Sequence, residues 1–103
     1  MPVYHKLVRD RIPDIIRASG KSCTCRTLDR AEYLERLEDK LQEELSEFLE
    51  SKSMEELADL LEVLYSVAAA RGSSPAEVEA LRREKARARG GFAARVLLEE
   101  VSP

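Results

Sequence analysis

Two pairs of carboxylates at helical spacing are the part of this sequence best equipped for chemistry. Glu44 and Glu47 are three residues apart, and so are Glu56 and Asp59. Residues three apart are neighbours on the surface of an α-helix. With the apolar stripe of the first segment centred on Leu41, Glu44 falls about 60° to one side and Glu47 about 120° to the same side. In the second segment Glu56 falls between Leu60 and Val63 in azimuth, intruding on the apolar face, and Asp59 lies just outside it. Acids beside a packing face repel one another and lose hydration. Either several are protonated or a cation sits among them. Oxygen-only ligands that leave room for water and phosphate suit Mg²⁺ or Mn²⁺. The bland reading is a solvated face, and it fits Glu35, Glu38, Asp39, Glu50 and Glu55. Glu56 also has a purely structural role open to it, as the third residue of a capping box.

A basic block follows in residues 82–95, with Arg82, Arg83, Lys85, Arg87, Arg89 and Arg95. Lys85 and Arg89 are one turn apart and share a face. Arg89 precedes Gly90-Gly91, where a chain can approach a ligand closely. The pair serves equally well as a phosphate clamp or as partners for a helix C-terminal dipole. Other chemistries are poorly supported. His5 is the single histidine, so no nucleophile–histidine triad can be assembled convincingly. Cys23 and Cys25 have no matching Cys or His set for zinc. Their spacing is poor for a mutual disulfide, so a reducing compartment is the simpler reading. No glycine-rich phosphate loop is present.

The elements that must position these residues are helices. Pro13 suits the first turn of a short helix that Gly20 ends. Residues 21–28 read as a loop or short extended piece. Asp29 to Glu32 forms a capping box opening a long helix, along which Leu34, Leu37, Leu41, Leu45 and Phe48 recur to about residue 51. Ser53 to Glu56 forms a second box. It opens a helix with Leu57, Leu60, Leu61, Leu64, Val67 and Ala68 on its apolar face, closed at Gly72. Ser74-Pro75 starts a last helix that runs to about Arg89. Val96 to Leu98 reads as a short extended tail. The expected architecture is all-α: a four-helix bundle with two long central antiparallel helices joined by a tight turn.

The 103 residues fit one domain, small enough that a partner subunit would help it bury its apolar surface. Apolar residues make up 44% of the chain, too many for disorder, and with aromatics at 5% the core must be aliphatic. A net charge of −3 lacks the basic excess of a nucleic-acid binder. No stretch is long and apolar enough for a membrane span, and a cytoplasmic location is expected.

Taken together, the motifs resemble a known family. Glu43-Glu44-Leu-Ser-Glu47 followed by Glu56-Leu-Ala-Asp59 is similar to the Glu-Glu-x-x-Glu … Glu-x-x-Asp signature of the all-α nucleoside triphosphate pyrophosphohydrolases. Lys40-Leu41 and Glu55 fit its flanks. The opening Tyr4 to Pro13 and the closing Lys85 to Phe92 resemble its single-domain MazG-like, phosphoribosyl-ATP pyrophosphohydrolase-like branch. The resemblance implies a Mg²⁺ site, with Mn²⁺ as a substitute, held by Glu44, Glu47, Glu56 and Asp59. It implies that Glu43, with Glu44 and Glu47, serves the catalytic step, and that Lys6, Arg9, Lys85 and Arg89 contact phosphates. A homodimer or homotetramer acting on a nucleotide is implied too. The expected reaction is hydrolysis of a nucleoside triphosphate to monophosphate and pyrophosphate, as house-cleaning of the nucleotide pool. The acid pairs do not separate this from hydrolysis of phosphoribosyl-ATP in histidine biosynthesis, nor from a helical dimer that only binds nucleotides.

Overall fold

The structure is a computed structural model, which describes residues 4–103. It is all-α, with four helices and no strand among the described residues: α1 (Ile12–Ala18), α2 (Arg30–Ser51), α3 (Met54–Ala70) and α4 (Pro75–Arg89). The three expected start signals are all used. Asp29 accepts from the Glu32 N–H at 2.9 Å, Ser53 from the Glu56 N–H at 3.2 Å and Ser74 from the Glu77 N–H at 3.1 Å. Each bond satisfies a backbone donor that has no partner inside its helix. Gly72, at φ 85°, ends α3 with paired bonds from Ser73 N to Ala68 O (2.9 Å) and from Gly72 N to Ala69 O (3.2 Å). Only Lys52 and Ser53 separate α2 from α3, and Lys52 takes a left-handed conformation to turn the chain.

That turn makes α2 and α3 an antiparallel hairpin. At its far end Arg30 donates to the Ala70 carbonyl (3.4 Å) and Arg71 pairs with Glu38 (2.8 Å). The seam holds Leu37, Val63 and Ala68, all buried, and one acid, Glu44. α4 packs on α3 only, and α1 packs on no other helix. The four helices therefore do not close into a bundle within one chain. The molecule is 63 × 31 × 23 Å with a radius of gyration of 18.3 Å, against about 13 Å for a compact chain of this length.

The broad apolar face expected on α3 is divided between two directions. Val63 and Ala68 turn into the seam, whereas Met54, Leu57, Leu61 and Leu64 face outward and line an open apolar trough with Ala58 and Leu60. On α2, Leu45 and Leu49 are likewise exposed. The accessible surface is 9274 Å², where a compact monomer of this size would expose roughly 5,800 Å². The tail expected as extended lies outside any helix and pairs with no strand, and its Phe92, Val96, Leu97 and Leu98 stand in solvent. No described helix is long and apolar enough to cross a membrane.

Leu37 is 3% exposed, the most buried apolar residue described. With so small a core, Leu37→Ala should cost about 2–5 kcal/mol. Urea unfolding checks this: the midpoint should fall sharply, while Leu45→Ala on the exposed side should barely move it.

Candidate metal centre

The site lies in the α2–α3 seam, about two turns from the hairpin bend. Along α2 the inward positions run Leu37, Leu41, Glu44, Phe48 at alternating spacings of four and three. Glu44 thus occupies a place where the periodicity calls for an apolar side chain, and Leu45 beside it is displaced to the surface. Glu44 is 6% exposed. From α3, Glu56 and Asp59 come up beside it. One carboxylate oxygen from each of Glu44, Glu56 and Asp59 lies within 4.8 Å of the others.

The local structure answers whether Glu56 is a cap or a site residue. Its N–H is capped by Ser53, but its own carboxylate does not return to the Ser53 N–H. In the other two boxes the acid is also diverted: Glu32 takes a two-pronged bond from Arg26 (2.6 and 3.0 Å), and Glu77 accepts from Ser73 Oγ (2.7 Å). Glu56 points into the seam, where its Oε2 is buried without a hydrogen-bond partner. Oε2 of Glu44 is in the same condition. Two buried anionic oxygens without donors are costly unless something positive meets them. Three converging hard oxygen donors of this kind fit a divalent cation such as Mg²⁺ or Mn²⁺.

Cations of the chain surround the cluster on its outer side. Lys40 Nζ lies 3.4 Å from Glu44 Oε1 and 3.4 Å from Glu43 Oε2, reaching both from the preceding turn of α2. Lys6 Nζ is 3.1 Å from Glu43 Oε1. Arg9 Nη2 is 2.7 Å from Asp59 Oδ1. The segment before α1 is thereby tied to both helices of the hairpin by Lys6 and Arg9. Burial pushes the Glu44 carboxyl above its ordinary value, against the pull of Lys40, and the Glu47 charge pushes the same way. For Glu43 burial is the largest single influence and acts upward. Lys6 and Lys40 together outweigh it, so the group sits below its ordinary value. The Lys6 ammonium is raised by its bond to Glu43.

Of the expected ligands, Glu44, Glu56 and Asp59 are brought together. Glu47 acts on Glu44 through its charge but lies outside the three-oxygen group. Lys6 and Arg9 reach the acids. Lys85 and Arg89 do not: both sit on α4, and neither forms an ion pair or hydrogen bond among the described residues. Lys40 is the site residue that the motif reading left without a role. Its signal was plain spacing, three and four residues before Glu43 and Glu44. Arg36, Asp39 and His5 join Lys6, Lys40 and Glu43 around a small cleft beside the cluster.

No family model matches the chain, and no solved structure matches it. The chain is 55% identical over 42 residues to an uncharacterized protein of Mycolicibacterium smegmatis (strain ATCC 700084 / mc(2)155). That stretch is 41% of this chain and 43% of the relative, so the match spans less than half of either.

The Glu44 shift has a definite sign. A carboxyl whose folded pKa is raised gives stability that is complete below the ordinary range and is lost as pH rises through the raised value. Above that raised value the folded chain carries a buried carboxylate at a cost. Glu44→Gln should melt a few degrees higher than wild type in EDTA at about pH 7, and the difference should vanish near pH 4. Mg²⁺ should raise the wild-type melting temperature and leave the variant unmoved. A variant that melts lower at neutral pH would mean that the Lys40 contact outweighs burial.

Proposed function

We propose that the chain is a Mg²⁺-dependent nucleoside triphosphate pyrophosphohydrolase, releasing nucleoside monophosphate and pyrophosphate as part of cytoplasmic nucleotide house-cleaning. One observation carries the reading: oxygens of Glu44, Glu56 and Asp59 converge within 4.8 Å across two helices, and those of Glu44 and Glu56 include buried atoms with no donor. The order and spacing of those acids, with Lys6 and Arg9 at their rim, agree with the MazG-like resemblance.

Glu44, Glu56 and Asp59, with Glu47 at their edge, would hold the cation. When bound, it would neutralise polyphosphate charge and make water a better nucleophile at neutral pH. Glu43 is ionised at neutral pH, being held below its ordinary value, and is braced by Lys6 and Lys40. It orients the attacking water, and a carboxylate of the cluster accepts the proton. Lys6 and Arg9 meet phosphoryl oxygens as charge builds on them. Water is the nucleophile in this scheme: the single histidine, His5, is not set against a Ser or Cys.

The working form is a homodimer or homotetramer. The outward stripe of Met54, Leu57, Leu61 and Leu64 is the contact face, and the excess of exposed surface over a compact monomer supports this.

Pyrophosphate release from a panel of nucleoside triphosphates and phosphoribosyl-ATP, with Mg²⁺ and then with EDTA, tests the activity. Magnesium-dependent release is expected, with nucleoside triphosphates preferred. Preference for phosphoribosyl-ATP would move the enzyme to histidine synthesis, and no release from any member would leave a nucleotide-binding scaffold. Glu47→Gln should lower turnover roughly 10- to 100-fold while the helical circular dichroism is unchanged. Wild-type turnover in that variant would remove Glu47 from the site.

The contact face is tested separately. Leu57→Lys with Leu61→Lys should convert the chain to a monomer by multi-angle light scattering. An unchanged mass would place the subunit contact elsewhere.

A further inference from the structure

Cys23 and Cys25 lie in the segment between α1 and α2, away from the acid cluster. Their one-residue spacing argues against a bond between them, yet the structure brings the two sulfurs to 3.9 Å, with the Cys25 thiol donating to Cys23. Cys23 in turn is half-buried and donates to the Pro13 carbonyl of α1 at 3.9 Å, while Cys25 is exposed. Both are free thiols. No third metal-type ligand joins them among the described residues, which leaves thiol chemistry rather than a metal site. The backbone around them is weakly constrained. Residues 21–28 belong to no helix, and none of their N–H or C=O groups enters a backbone hydrogen bond among the described residues. Its side-chain hydrogen bonds to the helices are Cys23 on Pro13 and Arg26 on Glu32, and Leu28 is half-buried. A backbone without ladder or helix bonds can bend the short distance needed to draw the sulfurs together. A ring closed over a single intervening residue is strained and exposed, which makes such a bond readily reversible.

We propose that Cys23 and Cys25 form a thiol–disulfide exchange site that takes low-molecular-weight disulfides and closes a reversible intramolecular disulfide. One cysteine loses its proton to solvent and attacks a sulfur of the small disulfide. The S–S bond of that molecule breaks and its first half leaves as a thiolate, which takes up a proton. The second cysteine, deprotonated in turn, attacks the protein sulfur of the mixed disulfide and expels the other half as a thiol. The protein dithiol is oxidised by two electrons and the small disulfide is reduced to two thiols. Sharing its proton with Cys23 holds the Cys25 thiol above its ordinary value, so exchange is slow at neutral pH and faster in mild alkali. The closed form shortens the linker that joins α1, and the basic residues Lys6 and Arg9 ahead of it, to the α2–α3 hairpin.

The test equilibrates the full chain in mixtures of oxidised and reduced glutathione, quenches with an alkylating agent and reads the intact mass. The expected product is a monomeric chain short of two hydrogens, unalkylated at both cysteines, and returned to the dithiol by excess reduced glutathione. Cys23→Ser and Cys25→Ser should each stop at a single glutathione adduct under the same conditions. A wild-type chain that accumulates glutathione adducts, forms only disulfide-linked dimers, or is alkylated twice at every mixture would overturn the proposal.

Discussion

A buried carboxylate in a helix seam is the constraint around which the rest of this molecule is arranged. Glu44 stands where a leucine would pack, between Leu41 and Phe48, and its Oε2 meets no donor. An ionised group so placed is expensive, and the upward shift of its pKa expresses that cost. Lys40 offsets part of it from one side. The Glu47 charge adds to it, and Glu56 and Asp59 arrive beside Glu44 from α3. One carboxylate oxygen from each of the three lies within 4.8 Å of the others, an arrangement able to hold a divalent cation. A cation bound there would stabilise the folded chain.

The same logic explains why the hairpin is so narrow and so open on its other side. α3 has apolar residues around most of its circumference, and α2 covers only one face. Val63 and Ala68 go into the seam, and Met54, Leu57, Leu61 and Leu64 remain outside. A helix that is apolar on two sides belongs between two layers. The chain provides one layer through α2 and only a glancing contact through α4. The extended shape, with a radius of gyration of 18.3 Å, goes with helices that do not close into a bundle and a tail outside any helix.

Much of this was legible in the sequence, and the exceptions have physical causes. Local signals were decisive for the helix starts: three polar caps followed by Glu at the third position placed α2, α3 and α4. Glycine at Gly72 and Gly90 marked where α3 and α4 stop, since only a residue free to take positive φ turns the chain cheaply there. What could not be read was how the apolar face of α3 divides, because periodicity gives a direction and not the number of partners. Leu45 was read as part of the α2 stripe, yet Glu44 holds the seam and Leu45 lies outside. A one-residue difference is 100° on a helix and hydrophobicity alone would choose the leucine. The acids themselves were identified by type and spacing. Their convergence, and the exclusion of Glu47 from the three-oxygen group, needed the interhelical register. The placing of Lys85 and Arg89 away from the cluster was equally invisible, since it depends on how α4 leaves the hairpin.

That register is set by the shortest part of the hairpin. With Lys52 in a left-handed conformation and Ser53 as the next cap, α3 begins within two residues of the end of α2. Counting from the bend, Glu44 lies about 10 Å up α2, and Glu56 and Asp59 lie about 4 and 8 Å up α3. The tilt of side chains toward each helix N-terminus carries Glu44 away from the bend and Glu56 and Asp59 towards it, so it widens that gap from both sides. Asp59 remains the natural level partner of Glu44, and Glu56 reaches it from below. Ser53 matters here for more than capping: by taking the Glu56 N–H it fixes the first turn of α3 while leaving the Glu56 carboxylate free to enter the seam. The residue that starts the helix and the residue that equips the site are adjacent parts of one motif. The turn between the helices thus sets the geometry of the acid cluster as directly as the acids do.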